Sequence, residues 1–313
     1  MTDDLRYCTI IDDFCSYCQH DGHSNACASY PWLLHLCSTC NDDDASASAC
    51  SGGSTRLEYD VALSCQDYSS STCPVPQCNR TDDEQCMDIL LKIKVGDHVI
   101  GIDTGSAPLA LDSALCRTDA GGINSSSAEV DIQYASTTVH EHAGNRPFWL
   151  QSNSHRADGY GAVGIVPLCS HSAAFDSYGI SGLLGVVHTS DQQFAPHAVM
   201  NILPENDRVF VYTGKRVCLG GGCLDGLQRP AGTQTTRLAP NRANPTNMLP
   251  VLEEQDGRSY ILDTGSTDTQ ALNAEYCIVG INDLEYLEIN NCTSDLYYKW
   301  KPGAQRKCRW RAS

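Results

Sequence analysis

Two identical tetrapeptides carry the residues best suited to chemistry: Asp103-Thr104-Gly105-Ser106 and Asp263-Thr264-Gly265-Ser266. Each follows an apolar run, Val99-Ile100-Gly101-Ile102 in the first case and Tyr260-Ile261-Leu262 in the second. A specified tetrapeptide arises by chance in about one in several hundred chains of this length, so two copies in the same context point to two halves of one site. Two carboxyl groups held within hydrogen-bonding distance cannot both ionise, because each negative charge raises the pKa of its neighbour, and the pair shares one proton. The ionised member can take a proton from water while the protonated member donates to a carbonyl oxygen. That is general acid–base hydrolysis with no covalent intermediate and no need of a metal or other cofactor.

The neighbouring residues fit that geometry. Gly105 and Gly265 permit a tight turn and a close backbone approach after a strand. The hydroxyls of Thr104, Ser106, Thr264 and Ser266 can hydrogen-bond the carboxylates or each other's backbone. The positioning elements read as strands: Ile89 to Val95, then a Gly96 turn and Val99 to Ile102, and the alternating Glu129-Val130-Asp131-Ile132-Gln133-Tyr134.

These features together resemble the pepsin-like aspartic peptidases, over about residues 87 to 270. On that resemblance the strands before Asp103 are the pair that leads to the first catalytic Asp, and Tyr134 is the flap tyrosine that closes over substrate. Gly179 to Val187 is similar to the apolar-apolar-Gly segment that threads beneath the catalytic loop. Arg208 to Tyr212 with Gly220-Gly221-Gly222 looks like the opening of the second lobe. The resemblance implies an all-β, bilobal acid-protease fold with an N-terminal lobe over 87–205 and a C-terminal lobe over 206–313. Ala107-Pro108 stands where the family usually has a Trp, and the flap turn lacks the family's glycines. The short run after the second motif implies an incomplete second lobe, and Cys277-Ile278-Val279-Gly280 has the composition of that lobe's apolar-apolar-Gly segment but comes early. The implied activity is aspartic endopeptidase. The alternative is a weak or inactive homologue that serves as a secreted binding or structural protein.

Composition limits the partners. At 313 residues and 41% apolar content the chain can bury a core, and a net charge of −17 disfavours nucleic acid. A peptide or protein substrate is the expected partner, no stretch is apolar enough for a membrane span, and oligomeric state leaves no signature. Eighteen cysteines with sequons at Asn79, Asn124 and Asn291 suggest disulfides, glycosylation and the secretory pathway, ending outside the cell or in an acidic vacuolar or lysosomal compartment. A cytosolic protein with reduced or metal-bound thiols is the alternative. The opening Met1-Thr2-Asp3-Asp4 is not a signal peptide, which implies a removed signal or a later start than the natural one.

Eleven cysteines fall before residue 87, so residues 1–86 are expected to form a small disulfide-rich module. Cys15, Cys18, Cys37 and Cys40 have zinc-ribbon spacing, but seven further cysteines in the segment favour disulfides. Cys116, Cys169, Cys218 and Cys223 are expected to form disulfides within the lobes. His140-Glu141-His142 lacks the i, i+4 spacing of a helical zinc motif and reads as a surface loop. The basic, aromatic tail from Tyr297 reads by default as a solvated terminus, with docking on the acidic body or on an acidic partner as the alternative. No phosphate loop or serine-nucleophile elbow is present.

Overall fold

Alternation of apolar and polar side chains dictates most of the elements, because successive strand residues point to opposite faces of a sheet. Leu57 and Tyr59 are buried between Glu58 and Asp60, and Leu91, Ile93 and Val95 are buried between Lys92 and Lys94. The computed structural model describes residues 55–62, 91–134, 137–152, 161–170, 175, 179–240, 246–253, 259–267, 269–271, 276–302 and 304. All of these belong to one unit, Thr55–Ser313.

The strands are β1 (Leu57–Ala62), β2 (Leu91–Val95), β3 (His98–Asp103), β4 (Leu109–Leu111), β5 (Val130–Tyr134), β6 (Thr137–Ala143) and β7 (Phe148–Gln151). There follow β8 (Ala162–Ile165), β9 (Leu168–Ser170), β10 (Gly182–Gly185), β11 (Val209–Tyr212), β12 (Arg216–Leu219), β13 (Gln234–Arg237) and β14 (Ala239–Pro240). The last are β15 (Met248–Leu249), β16 (Val251–Glu253), β17 (Ser259–Leu262), β18 (Gln270–Ala271), β19 (Tyr276–Val279), β20 (Leu284–Asn290) and β21 (Asp295–Trp300). Helix is confined, among the described residues, to α1 (Ser113–Thr118), α2 (Val199–Ile202) and short 3-10 turns. The protein is thus mostly β-sheet, and none of its described helices is long and apolar enough to cross a membrane.

Thirteen strands form one sheet in the order β13-β21-β20-β11-β12-β1-β2-β3-β10-β4-β9-β6-β5, and β16-β17-β19-β18 form a second. One four-strand arrangement occurs in both. β2 and β3 form a hairpin, β10 runs parallel to β3, and β4 runs antiparallel to β10. In the second sheet β16 pairs antiparallel with β17, β19 runs parallel to β17, and β18 runs antiparallel to β19. Each arrangement carries one Asp-Thr-Gly-Ser at the end of its central strand, β3 or β17. The main apolar core joins the two, with Ile100, Ile102 and Leu184 in the same buried cluster as Tyr260, Leu262 and Val279.

Three sequence expectations change here. Leu57–Ala62 lies inside the segment expected to be a cysteine-rich module, yet β1 joins the main sheet between β12 and β2. Its entry is fixed by Asp207, which accepts hydrogen bonds from the Thr55 amide at 3.0 Å and the Thr55 hydroxyl at 2.8 Å. The cysteines before residue 55, and those between 63 and 90, lie outside the described residues. The tail from Tyr297 is not a solvated terminus as far as Trp300: β21 pairs with both β20 and β13, and Arg229 sits 3.8 Å above the Tyr297 ring. His140-Glu141-His142 is no loop either, being the centre of β6.

Cys116 and Cys169 form a disulfide that ties α1 to β9, and Cys218 and Cys223 form one at the end of β12. Cys277 is also disulfide-bonded, while Cys292 is a free thiol.

Candidate active site

The two motifs meet. Asp103 ends β3 and Asp263 directly follows β17, and the residue before each, Ile102 or Leu262, is fully buried; burying such a side chain contributes ~1.5–3 kcal/mol, which anchors the carboxylates where solvation alone would not place them. Beyond the aspartates the chains turn back at Gly105 and Gly265. A Cβ on Gly265 would lie 2.5 Å from Asp103 Oδ1 and 3.0 Å from Asp263 Oδ1, and one on Gly105 would lie 3.0 Å and 3.1 Å from the same two oxygens. Both carboxylates therefore crowd the same pair of glycines, and no side chain fits there without displacing them.

Reciprocal hydrogen bonds between the threonines lock the motifs together. The Thr104 amide donates to Thr264 Oγ1 at 3.1 Å, and the Thr264 amide donates to Thr104 Oγ1 at 3.0 Å. Each hydroxyl then donates across to the strand of the other motif, Thr104 to the Leu262 carbonyl at 2.6 Å and Thr264 to the Ile102 carbonyl at 2.8 Å. Both threonines are fully buried, so losing one partner would leave polar groups unpaired at about 1–3 kcal/mol each. The Leu91 amide adds a further link, donating to the Thr264 carbonyl at 3.2 Å.

Within each motif the glycine amide donates to its own aspartate, Gly105 to Asp103 Oδ1 at 2.7 Å and Gly265 to Asp263 Oδ1 at 2.8 Å. The serines break the symmetry. Ser266 Oγ donates to Asp263 Oδ2 at 2.8 Å, whereas Ser106 Oγ is buried without a hydrogen-bond partner. The orienting role expected of both serines is thus available to Ser266 alone. Asp263 is raised well above the usual carboxylate range: burial is the largest cause, followed by the charge of Asp103 and a hydrogen bond with it, against smaller opposing effects of Ser266 and Gly265.

The strands beneath the site explain two glycine-ended segments. Gly185 lies opposite Asp103 in the parallel pair β3–β10, and a Cβ there would approach the Ser106 and Ala107 backbone carbons at 2.6 and 2.5 Å. In the second arrangement Val279 lies opposite Leu262, and the Asp263 amide donates to the Val279 carbonyl at 3.0 Å. Cys277 to Gly280, which came too early in sequence to be expected in this role, occupies the place that Leu183 to Gly185 occupies in the first arrangement. Its early arrival reflects what lies between. The chain leaves the first site at Asp103 and returns at Gly182 after building β4 to β9, but leaves the second at Asp263 and returns at Tyr276 with β18 as its one strand among the described residues.

Tyr134 ends β5 opposite Thr137 in the β5–β6 hairpin, whose tip, Ala135-Ser136, lies outside the described residues. Asn124 is partly exposed and its Oδ1 accepts from the Ser126 hydroxyl of its own sequon at 2.6 Å. The Asn291 amide group is buried with neither atom hydrogen-bonded, so a glycan there would require the turn to open. Asn79 is outside the described residues.

No protein-family model and no curated protein matches the chain.

Proposed function

We propose that this chain is a pepsin-like aspartic endopeptidase of bilobal fold, with Asp103 and Asp263 as its catalytic pair. The observation that carries the reading is the cross-locked pair of Asp-Thr-Gly-Ser turns with both carboxylates over Gly105 and Gly265. Asp263, whose environment holds its proton, is the acid, and Asp103 is the base. Asp103 takes a proton from a water as its oxygen bonds to the scissile carbonyl carbon, and Asp263 gives its proton to the carbonyl oxygen. Asp103 then passes its proton to the amide nitrogen while Asp263 recovers one from a hydroxyl of the tetrahedral intermediate. The C–N bond breaks and both acids return to their starting states.

In this reading residues 87–205 and 206–313 supply the two lobes, with β1 added to the sheet that joins them, and residues 1–86 otherwise hold the disulfide-rich module. An extended peptide lies in the groove between the lobes, its backbone paired with the β5–β6 hairpin as an added strand, and Tyr134 covers it. The formed disulfides support an oxidising, secretory route, to the outside or to an acidic compartment.

Hydrolysis of an unfolded protein is expected between about pH 3 and pH 6, where the pair holds one proton, and chelators should leave it unchanged. A neutral optimum abolished by chelation would overturn the assignment. A second reading, a weak or inactive homologue that binds peptides without cleaving them, is favoured by the brevity of the Asp263–Tyr276 excursion and the unpartnered Ser106 Oγ. It predicts peptide binding with no cleavage over the same pH range.

A further inference from the structure

The β5–β6 hairpin is the outermost part of the large sheet and is held there along a short stretch. β5 is the terminal strand, so the backbone pairing that joins the hairpin to the rest of the sheet is that of β6 with β9. The register covers three pairs, Ala143↔Leu168, His142↔Cys169 and Glu141↔Ser170. At the stem, on the Ala143 side of Glu141, there are further ties. The Ala143 amide donates to the Ser127 hydroxyl at 3.1 Å, its carbonyl accepts from the Asn124 amide at 2.8 Å, and the Gly144 amide donates to the Pro167 carbonyl at 2.8 Å. On the other side of Glu141, the four pairs from Asp131↔His140 to Tyr134↔Thr137 join β5 to β6, with no flanking strand among the described residues. Glu141 is therefore the last rung before the hairpin becomes a projecting arm.

A carboxyl is chemically out of place on that rung. Residues opposite one another in an antiparallel pair share a face, as do residues two apart on a strand, so Glu141 faces inward with Val130 of β5, Ser170 of β9 and Val139 of its own strand. Glu141 and Ser170 are fully buried, and Val130, Ile132 and Leu168 form an apolar cluster against which Phe194 packs. Neither Glu141 carboxyl oxygen has a hydrogen-bond partner. The charged groups of the hairpin, Glu129, Asp131, His140 and His142, meet one another on the opposite, solvent face. No charge among the described residues contributes to the proton affinity of Glu141, which burial alone raises to about 8. An ionised carboxylate is costly in such surroundings, and lifting the arm would return it to water.

We propose that Glu141 is a proton-operated latch: protonated, it lets the β5–β6 arm lie against the body of the protein, and ionised, it releases the arm while the rest of the fold stays intact. A two-stranded hairpin has little stability of its own, and an element with few ties opens before the whole molecule unfolds. The docked arm raises the Glu141 pKa above its ordinary 4.5, so docking is strongest below that value and weakens as pH rises toward about 8. Tyr134 ends β5 on this arm. A consequence that rests on the proposed function is thus a cleft cover that docks in acid and lifts as the solution becomes neutral. The latch itself is read without substrate, so its failure is distinct from a failure of hydrolysis.

The experiment follows amide hydrogen exchange of the full, disulfide-intact chain by mass spectrometry from about pH 5 to pH 8, corrected for the intrinsic pH dependence of exchange. In the wild type, protection of Val130–Tyr134 and Thr137–His140 should fall by up to about 10-fold per pH unit, while that of β3 and β10 holds. Glu141→Gln and Glu141→Met remove the titrating group, and the arm of either should keep its protection across the range. The second variant carries the test should a buried amide prevent the first from folding, with circular dichroism at pH 5 as the check on both. Arm protection independent of pH in the wild type would overturn the proposal. So would a parallel loss in β3 and β10, which would make the ionisation act on the whole fold, or a wild-type pH dependence retained in either variant. Failure of both variants to fold at pH 5 would also count against it, because Glu141 would then be needed for more than its proton.

Discussion

Asp103→Asn should reduce peptide hydrolysis by about 10²–10⁴-fold, or about 3–5 kcal/mol in the barrier, with little change in fold. The amide keeps the oxygen that accepts from the Gly105 amide but cannot take a proton from water. Asparagine is also nearly the same size, so the crowded space over Gly105 and Gly265 is preserved. Removing the charge of Asp103 withdraws one of the causes that raise Asp263, and the remaining acid should titrate lower, though burial keeps it above the ordinary range. The check pairs a steady-state assay with a urea-unfolding curve. Undiminished hydrolysis by a folded variant would remove Asp103 from the mechanism.

Glu141→Gln should abolish a large loss of stability that accumulates as pH rises from the ordinary carboxylate range to about 8. Glu141 is fully buried with neither carboxylate oxygen hydrogen-bonded. On β6 it stands between Val130 of β5 and Ser170 of β9, and desolvation pushes it up to about 8. For an acid whose pKa is higher in the folded than in the unfolded chain, the folded state holds the proton more tightly. Stability from this group is complete below the unfolded value of 4.5 and declines as pH rises through about 8. The fall is on the order of 4–5 kcal/mol at most. Asp263 contributes in the same direction. Urea unfolding at about pH 5 and about pH 9 should show a much steeper decline for the wild type than for Glu141→Gln, while the two proteins stay close at the lower pH. Equal declines would mean that the Glu141 carboxyl reaches water or a partner.

Much of the site was legible because its signals are local. The repeated Asp-Thr-Gly-Ser with an apolar run before it identifies a strand end followed by a turn, and the alternation in Leu91 to Val95 and in Val130 to Ile132 identifies half-buried strands. What escaped depends on pairing between distant segments. Cys277 to Gly280 comes too soon after Asp263 for the complete second lobe that the family resemblance implies, with several more strands before its apolar-apolar-Gly segment. A parallel return needs only enough chain to cross over, and the short stretch from Asp263 to Tyr276 that carries β18 suffices. Leu57 to Ala62 sits amid cysteines and gave no sign that β12 and β2 would take it between them. His140-Glu141-His142 has no helical metal-binding period because it continues a strand alternation, as the partner of β5 in a hairpin. The burial of Glu141 follows from that strand period together with the apolar neighbours Val130, Ile132 and Val139 on the inner face.

The central claim, a proton held jointly by Asp103 and Asp263, is open to direct titration. Carbon-13 NMR of the aspartate carboxyls, assigned through Asp103→Asn and Asp263→Asn, reads the protonation of the pair with no assumption about substrate. One proton should remain on the pair well above the pH at which exposed aspartates ionise, and should leave at lower pH in Asp103→Asn. Two carboxyls that titrate independently in the ordinary range, each unmoved by substitution of the other, would contradict the account.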